Sequence, residues 1–236
     1  MSVILVRELA SLHEMKDSET VQRLVWGGED DPVDASDLLL AIQHEGGLVA
    51  GAFDGGKMIG FIFGFPSATP GVQHSHRLAV LPEARGLKLG ARMKWFQRDW
   101  CLARGITHVR WTYDPIRAVN ASLNIASLGG ATSSTYHIDY YGPMVGINSG
   151  LPSDRIVADW QLDDLRVEAR SRGQKLEFPA DARRVKIPGD IDHLLAIDPA
   201  AAMNARVSLR QQLLTAFDEG KRIVGFDQQA ATYLLV

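Results

Sequence analysis

The run from His74 to Leu102, HSHRLAVLPEARGLKLGARMKWFQRDWCL, constrains this chain most. It joins a strand pattern to an amphipathic helix through a short basic turn carrying Gly86 and Gly90. Strand side chains alternate with period two, so His74, His76, Leu78 and Val80 are expected on one face. Pro82 cannot donate to a sheet ladder and ends the strand near Val80. Over residues 86–104 the apolar positions Leu89, Met93, Phe96 and Trp100 recur at helical spacing, with Gly105 as the stop. Arg92, Lys94 and Arg98 fall off that stripe and read as a solvated face.

Such a junction points several backbone N–H groups at one spot, beside the positive end of a helix dipole. That is a natural seat for a pyrophosphate. A ligand with a pyrophosphate and a long flexible arm could lie along the strand with its reactive end beside the two histidines. Coenzyme A has this form. No Walker-type Gly-x-x-x-x-Gly-Lys-Ser/Thr run occurs, which disfavours a nucleotide-phosphate site at the same turn.

The rest of the chain alternates strand and helix signals. A strand is expected over residues 2–8, a helix over 11–26, an acidic turn over 27–32, and a second helix to 43 capped by Asp34 or Ser36. Strands at 48–53 and 57–65 flank Asp54-Gly55-Gly56, a strong hairpin signal. The strand at 72–80 and the long helix follow. A strand at 106–113 stops at Asp114-Pro115, a short helix covers 120–128 before Gly129-Gly130, and a further strand covers 131–141. The expected fold class is therefore α/β, elements mixed around one sheet. The small-residue stretch 146–153 marks a boundary, giving a catalytic domain at 1–146 and a C-terminal α/β extension at 150–236. In the extension we expect a strand at 155–162, a charged stretch to 189, a helix over 198–217 and a hairpin over 222–236.

Composition narrows the class. The net charge is −3 and no dense basic run occurs, so no nucleic-acid partner is expected. Cys101 is the single cysteine, which excludes an internal disulfide framework and fits a reducing compartment. No stretch approaches the roughly 20 apolar residues of a membrane span, and MSVILVREL is too short an apolar start for a signal peptide. A cytoplasmic protein with no membrane partner is expected. His44, His108, His137 and His193 are scattered without metal-ligand spacing, so no metal is expected.

Element order and local sequence together resemble the GCN5-related N-acetyltransferase (GNAT) superfamily over roughly the first 145 residues. The strongest part is LAVLPEARGLKLG, similar to the family's acetyl-CoA signature Arg/Gln-x-x-Gly-x-Gly/Ala after a strand ending in Val-x-Pro. Arg85 matches the first position and Gly90 the last. Lys88 stands where the middle glycine is expected; it needs an unstrained φ there, and it adds a cation beside the phosphates. WTYDP, Asn120, Asn124 and Leu128-Gly129 resemble the family's fifth strand and fourth helix. The histidines before the signature, WTYDP, Tyr140-Tyr141-Gly142 and the C-terminal extension resemble a bacterial subgroup of predicted acetyltransferases.

The resemblance implies a GNAT-like acyl-CoA N-acyltransferase fold with acetyl-CoA as co-substrate. It places the cofactor on Leu78, Ala79 and Val80 of a strand splayed from its neighbour, and on the turn Arg85, Gly86, Leu87, Lys88, Leu89, Gly90 and Ala91. Asn120, or Asn124 a turn later, would touch the pantetheine arm; a plain helix cap is the other reading of Asn120. The implied reaction is direct attack of a small-molecule or peptide amine on the thioester in a ternary complex. HSHRLAV resembles the corresponding strand of serotonin N-acetyltransferase, where paired histidines remove protons. Imidazole accepts a proton near neutrality, so His76 and His74 are the candidate bases, His76 first. The helix tyrosine that often serves as acid is replaced by Ile125. Tyr136 is the substitute acid, with Tyr113, Tyr140 and Tyr141 behind it. Tyr140 and Tyr141 are expected on opposite faces of their strand, and residues 136–141 could line an acceptor pocket. Cys101 reads as packing. The missing tyrosine and Lys88 leave a second function open, a catalytically silent acyl-CoA-binding regulatory protein. The extension could complete the sheet, form its own lobe, close the acceptor cleft or build a homodimer interface.

Overall fold

The structure, a computed structural model, describes residues 3–27, 33–129, 131–144 and 149–236. Most of the acidic turn expected at 27–32, Gly130 and part of the boundary expected at 146–153 lie outside the described residues. The chain divides into two compact units, residues 1–110 and 111–236.

The first unit holds β1 (Leu5–Glu8), α1 (Leu12–Trp26), α2 (Ser36–His44), β2 (Leu48–Asp54), β3 (Lys57–Pro66), β4 (Val72–Val80) and α3 (Leu89–Leu102). The first residues of β5 (His108–Tyr113) complete it. Strands β1 to β5 neighbour one another in chain order. Every pairing is antiparallel except β4 with β5. Gly55 (φ +54°) and Gly56 (φ +96°) make the expected β2–β3 turn in the left-handed region, where a side chain would be strained. Ser11, expected as the first helical residue, instead caps α1 by accepting from Glu14 N at 3.3 Å. The α2 cap differs. Neither Asp34 nor Ser36 caps it; Ser36 N donates to Glu19 Oε1 of α1 at 2.7 Å, so one helix caps another.

The two faces of this sheet carry different helices. Phe61 and Phe63 stack at 6.2 Å on the face where Trp26 of α1 meets Phe61 edge-on. Gly60, Ile62 and Gly64 face the other way, and a Cβ added at Gly60 would sit 3.2 Å from Met93 Cε of α3. There Lys94 is buried, contrary to its expected place on a solvated face. Its Nζ donates to Ser75 Oγ at 2.8 Å and to Gln97 Oε1 at 3.2 Å, and Gln97 Nε2 donates to Gln73 Oε1 at 2.7 Å. Cys101, fully buried as expected, reaches the same Gln73 Oε1 at 3.4 Å.

A β-bulge in β4 rewrites the expected alternation. Phe63 pairs with Arg77 but Gly64 pairs with Ser75, so His76 is the extra residue. Before the bulge Gln73 and Ser75 face α3. After it Leu78 and Val80 do, opposite Ile62 and Gly60. His74 and His76 instead share the α1 face with Arg77 and Ala79, opposite Phe63 and Phe61. Hence the histidines do not share a face with Leu78 and Val80.

In the second unit the end of β5 is followed by α4 (Ala118–Ala121), a π-helical segment (Ser122–Ser127), β6 (Tyr136–His137) and β7 (Arg155–Gln161). Next come α5 (Leu165–Ser171), β8 (Arg183–Lys186), α6 (Ile191–Ile197), α7 (Pro199–Asp218), β9 (Ile223–Asp227) and β10 (Thr232–Leu235). β6 pairs antiparallel with β7, and β8, β10 and β9 form a separate antiparallel sheet. Trp160, Leu209, Leu213 and Tyr233 are core residues. The strand expected at 131–141 reduces to Tyr136–His137 plus single bridges Thr132 to Asp159 and Ser133 to Ile223. Asp139 (φ +47°) turns the chain, so Tyr140 and Tyr141 do not alternate across a strand. Both are exposed and meet edge-on at 4.7 Å. The charged stretch hides α5 and β8. α6, capped by Asp190, precedes the expected long helix, whose cap is Asp198.

Candidate active site

The turn after β4 has the backbone geometry of an anion seat. A 3₁₀ turn (Pro82–Ala84) leads to Arg85, then Gly86 with φ +87°. Lys88 takes φ 56°, ψ 25°, the left-handed conformation that a glycine adopts freely. The expectation of an unstrained φ is therefore corrected: the lysine keeps a glycine-like backbone shape at a cost of about 1 kcal/mol. The first helical bond runs from Arg92 N to Lys88 O at 3.1 Å. Leu89, Gly90 and Ala91 thus direct their N–H groups outward from the helix end. No side chain caps that end, and its first turn holds no acid. Arg85, Gly86, Leu87 and Lys88 are exposed around it, while Leu89 anchors the helix in the core. Free amides, a positive dipole end and two cations suit a pyrophosphate.

β4 supplies the edge that leads away from this seat. Its parallel pairing with β5 runs over Val72, Gln73 and His74, opposite His108, Val109 and Arg110. Among the described residues it goes no further along β4. Ser75 to Val80 stay bonded to β3, past the bulge, and present their other edge without a β5 rung. Leu78, Ala79 and Val80 belong to this open edge.

The histidines sit in an aromatic and acidic setting. His74 stacks on Phe65 at 5.0 Å, His76 lies 5.2 Å from Phe63, and the two imidazoles are 5.8 Å apart. Asp34, from the segment before α2, brings Oδ1 to 4.0 Å from His76 Nε2 and Oδ2 to 2.6 Å from Arg77 Nε. Gln22 of α1 fixes that segment: its Oε1 accepts from Asp34 N at 2.8 Å and its Nε2 donates to Asp34 O at 3.0 Å. Burial lowers His74 to about 4, helped by the nearby charges of His76, Lys94 and Arg110. Burial also lowers His76, but the Asp34 carboxylate opposes it and Arg77 reinforces it. His76 therefore has an acidic neighbour that favours its protonated form, and His74 has none of comparable effect. Asp34 and Gln22 were missed in the sequence. Nothing local joins residues 22 and 34 to residue 76, and Asp34 before a helix reads naturally as a cap.

The other candidates belong to the second unit. Asn120 lies inside α4, whose N-cap is Arg117, so the cap reading of Asn120 fails; its amide reaches Asp114 O at 3.5 Å. Asn124 and Ile125 are buried in the π-helical segment. Tyr136 donates its hydroxyl to Asp154 Oδ2 at 2.6 Å. Burial and that carboxylate push the phenol up, because ionising it beside Asp154 is costly. A hydroxyl committed in this way is a poor proton donor, which counts against Tyr136 as the acid. Among the described residues no three His, Cys, Asp or Glu side chains are grouped to hold a metal, and no helix is long and apolar enough to cross a membrane.

The sequence model of the acetyltransferase (GNAT) family matches residues 10–127. A comparison with curated proteins finds no relative. Among solved structures, the ribosomal-protein-S18-alanine N-acetyltransferase of Escherichia coli is similar at TM-score 0.56 and 18% identity, over 75% of this chain and 100% of that one. The IAA acetyltransferase of Bacillus cereus ATCC 14579 gives 0.52 and 15%, over 67% of this chain and 99% of that one. The PaiA N-acetyltransferase of Thermoplasma acidophilum, in complex with coenzyme A, gives 0.50 and 20%, over 67% and 99%. These likenesses concern the fold; the match of residues 10–127, half the chain and including the turn and both histidines, carries the assignment, and the chain belongs to the GNAT acetyltransferase family.

Proposed function

We propose that this protein transfers an acetyl or other acyl group from acyl-CoA to a small-molecule or peptide amine by direct attack in a ternary complex. The observation that carries the reading is the α3 N-terminus, where Leu89, Gly90 and Ala91 offer uncapped N–H groups beside Lys88 and Arg85. Those groups bind the pyrophosphate. The open β4 edge at Leu78, Ala79 and Val80 aligns the pantetheine arm, and a backbone N–H there polarises the thioester carbonyl. The amine nitrogen attacks the carbonyl carbon, the C–N bond forms, and the C–S bond breaks with its electron pair leaving on sulfur.

His76 accepts the proton of the attacking ammonium. It is preferred over His74 because a base lowered to about 4 holds a proton weakly near neutrality, whereas Asp34 supports the proton on His76. The leaving thiolate takes its proton from water in this reading, since Tyr136 is tied to Asp154.

Calorimetry with acetyl-CoA, paired with thiol release across an amine panel, tests the proposal. Binding with turnover, and a loss of turnover in His76→Ala that far exceeds any loss of binding, is the expected result. Absence of any CoA heat on folded protein rejects it. Binding without thiol release for every amine favours the silent acyl-CoA binder, a reading that Ile125 in place of a helix tyrosine supports.

A further inference from the structure

Gln22 of α1 is 1% exposed, and both ends of its amide go to one residue of another segment. Its Oε1 accepts from Asp34 N at 2.8 Å, and its Nε2 donates to Asp34 O at 3.0 Å. The side chain thus does what a neighbouring strand would do, holding the Asp34 main chain by its donor and its acceptor together. The same Oε1 accepts from Arg77 Nη1 at 3.4 Å. Trp26, one turn further along α1, lies under the Arg77 guanidinium at 4.9 Å. One face of α1 therefore meets both members of the Asp34–Arg77 pair.

Asp34 divides its carboxylate. Oδ2 is 2.6 Å from Arg77 Nε, a close ion pair, and Oδ1 is 4.0 Å from His76 Nε2, at the outer limit of one. A carboxylate free to swing would settle wholly on the guanidinium, which is always charged and offers several donors. The longer contact lasts only while the main chain behind it is held.

We infer that Gln22 is a positioning residue for His76: its grip on the Asp34 main chain keeps that carboxylate shared between Arg77 and the imidazole. The titratable and charged groups facing His76 are His74 and Arg77 of β4 and Asp34. Phe63 and Phe65 of β3 face it as uncharged rings, and α1 reaches this corner through Gln22 and Trp26, both uncharged. Asp34 favours the imidazolium and Arg77 opposes it. Release of Asp34 toward Arg77 would lower the pH at which His76 gives up its proton. The consequence for catalysis rests on the acyl-transfer reading, with His76 as base.

NMR titration of the His76 Cε1–H resonance on the full chain tests the role, with the resonance assigned from the His76→Ala spectrum. Gln22→Met keeps the side-chain length and loses both amide bonds. Its His76 midpoint should fall by roughly half a unit to one unit. In an Asp34→Asn background, Gln22→Met should shift nothing further, because the carboxylate it positions has lost its charge. A midpoint that stays or rises in Gln22→Met, or that falls equally in both backgrounds, overturns the inference; loss of packing alone gives the equal fall. Should the methionine variant fail to fold, Gln22→Asn, one methylene too short to span both main-chain groups, takes its place with the same deciding outcomes. The titration needs neither CoA nor amine, so its failure is distinct from a failure of CoA binding or of turnover.

Discussion

Lys94 offers a stability test whose sign and size follow from its surroundings. It is fully enclosed between α3 and β4, and burial lowers it from 10.5 to about 7. At pH 7 the folded chain holds about half a proton there, and by pH 9 almost none. The unfolded chain holds nearly a whole proton throughout. Stability rises with pH wherever the unfolded state binds more protons. The cost of the buried charge is thus fully present below pH 7 and is relieved progressively toward pH 10.5. Integrated from pH 7 to pH 9, the wild-type chain gains about 2 kcal/mol from this group. Lys94→Met keeps the volume and removes the titration, while Ser75 and Gln97 remain bonded to each other at 3.2 Å. Cys101, raised to about 12 by burial with Lys94 opposing, contributes the opposite slope only toward the alkaline end of this range. Urea unfolding at pH 6, 7, 8 and 9 should find the variant equal to or more stable than wild type at pH 6. That advantage should then shrink by about 2 kcal/mol by pH 9. A stability difference that stays constant from pH 6 to pH 9 refutes the reasoning.

Three further outcomes are expected. Lys88→Gly relieves about 1 kcal/mol of left-handed strain and adds a similar unfolded-state entropy, so its melting temperature should stay near wild type while CoA affinity falls a few-fold. A loss well above 1 kcal/mol would contradict the left-handed backbone at that position. Asp34→Asn removes the charge that supports protonated His76, so the acid limb of kcat/KM should move to lower pH; an unmoved limb rules Asp34 out as the tuning group. Asp114→Asn leaves the guanidinium of Arg206 buried without its carboxylate and should cost about 3 to 5 kcal/mol in urea unfolding, and a cost below 1 kcal/mol would mean that water reaches the pair.

Local chemistry made much of the first unit readable. The β2–β3 turn, the limits of β4 and the turn into α3 follow from glycine, proline and apolar spacing within a few residues. What escaped depends on partners distant in the chain. The bulge at His76 appears only when β3 is laid beside β4, because Phe63 and Gly64 set the register there. Lys94 reads as solvated because its burial is completed by Ser75 and Gln73 of another element. Residues 131–141 have strand composition, yet most of their hydrogen bonding is isolated bridging, and Asp139 breaks the run. Of the candidate site, the turn and the two histidines stand out in the sequence, whereas Asp34, Gln22 and the Asp154 tie on Tyr136 do not.

The inserted residue at His76 also dictates which β4 positions share a face with the imidazoles. Counting by twos from the imidazoles would send a mutagenesis library to Leu78 and Val80, whose side chains lie on the α3 face instead. The true neighbours of the imidazoles are Arg77 and Ala79, one of them a bare methyl across from Phe61. Of the two, Arg77 also carries the ion pair with Asp34, so a change there reaches the imidazole and its acidic neighbour together.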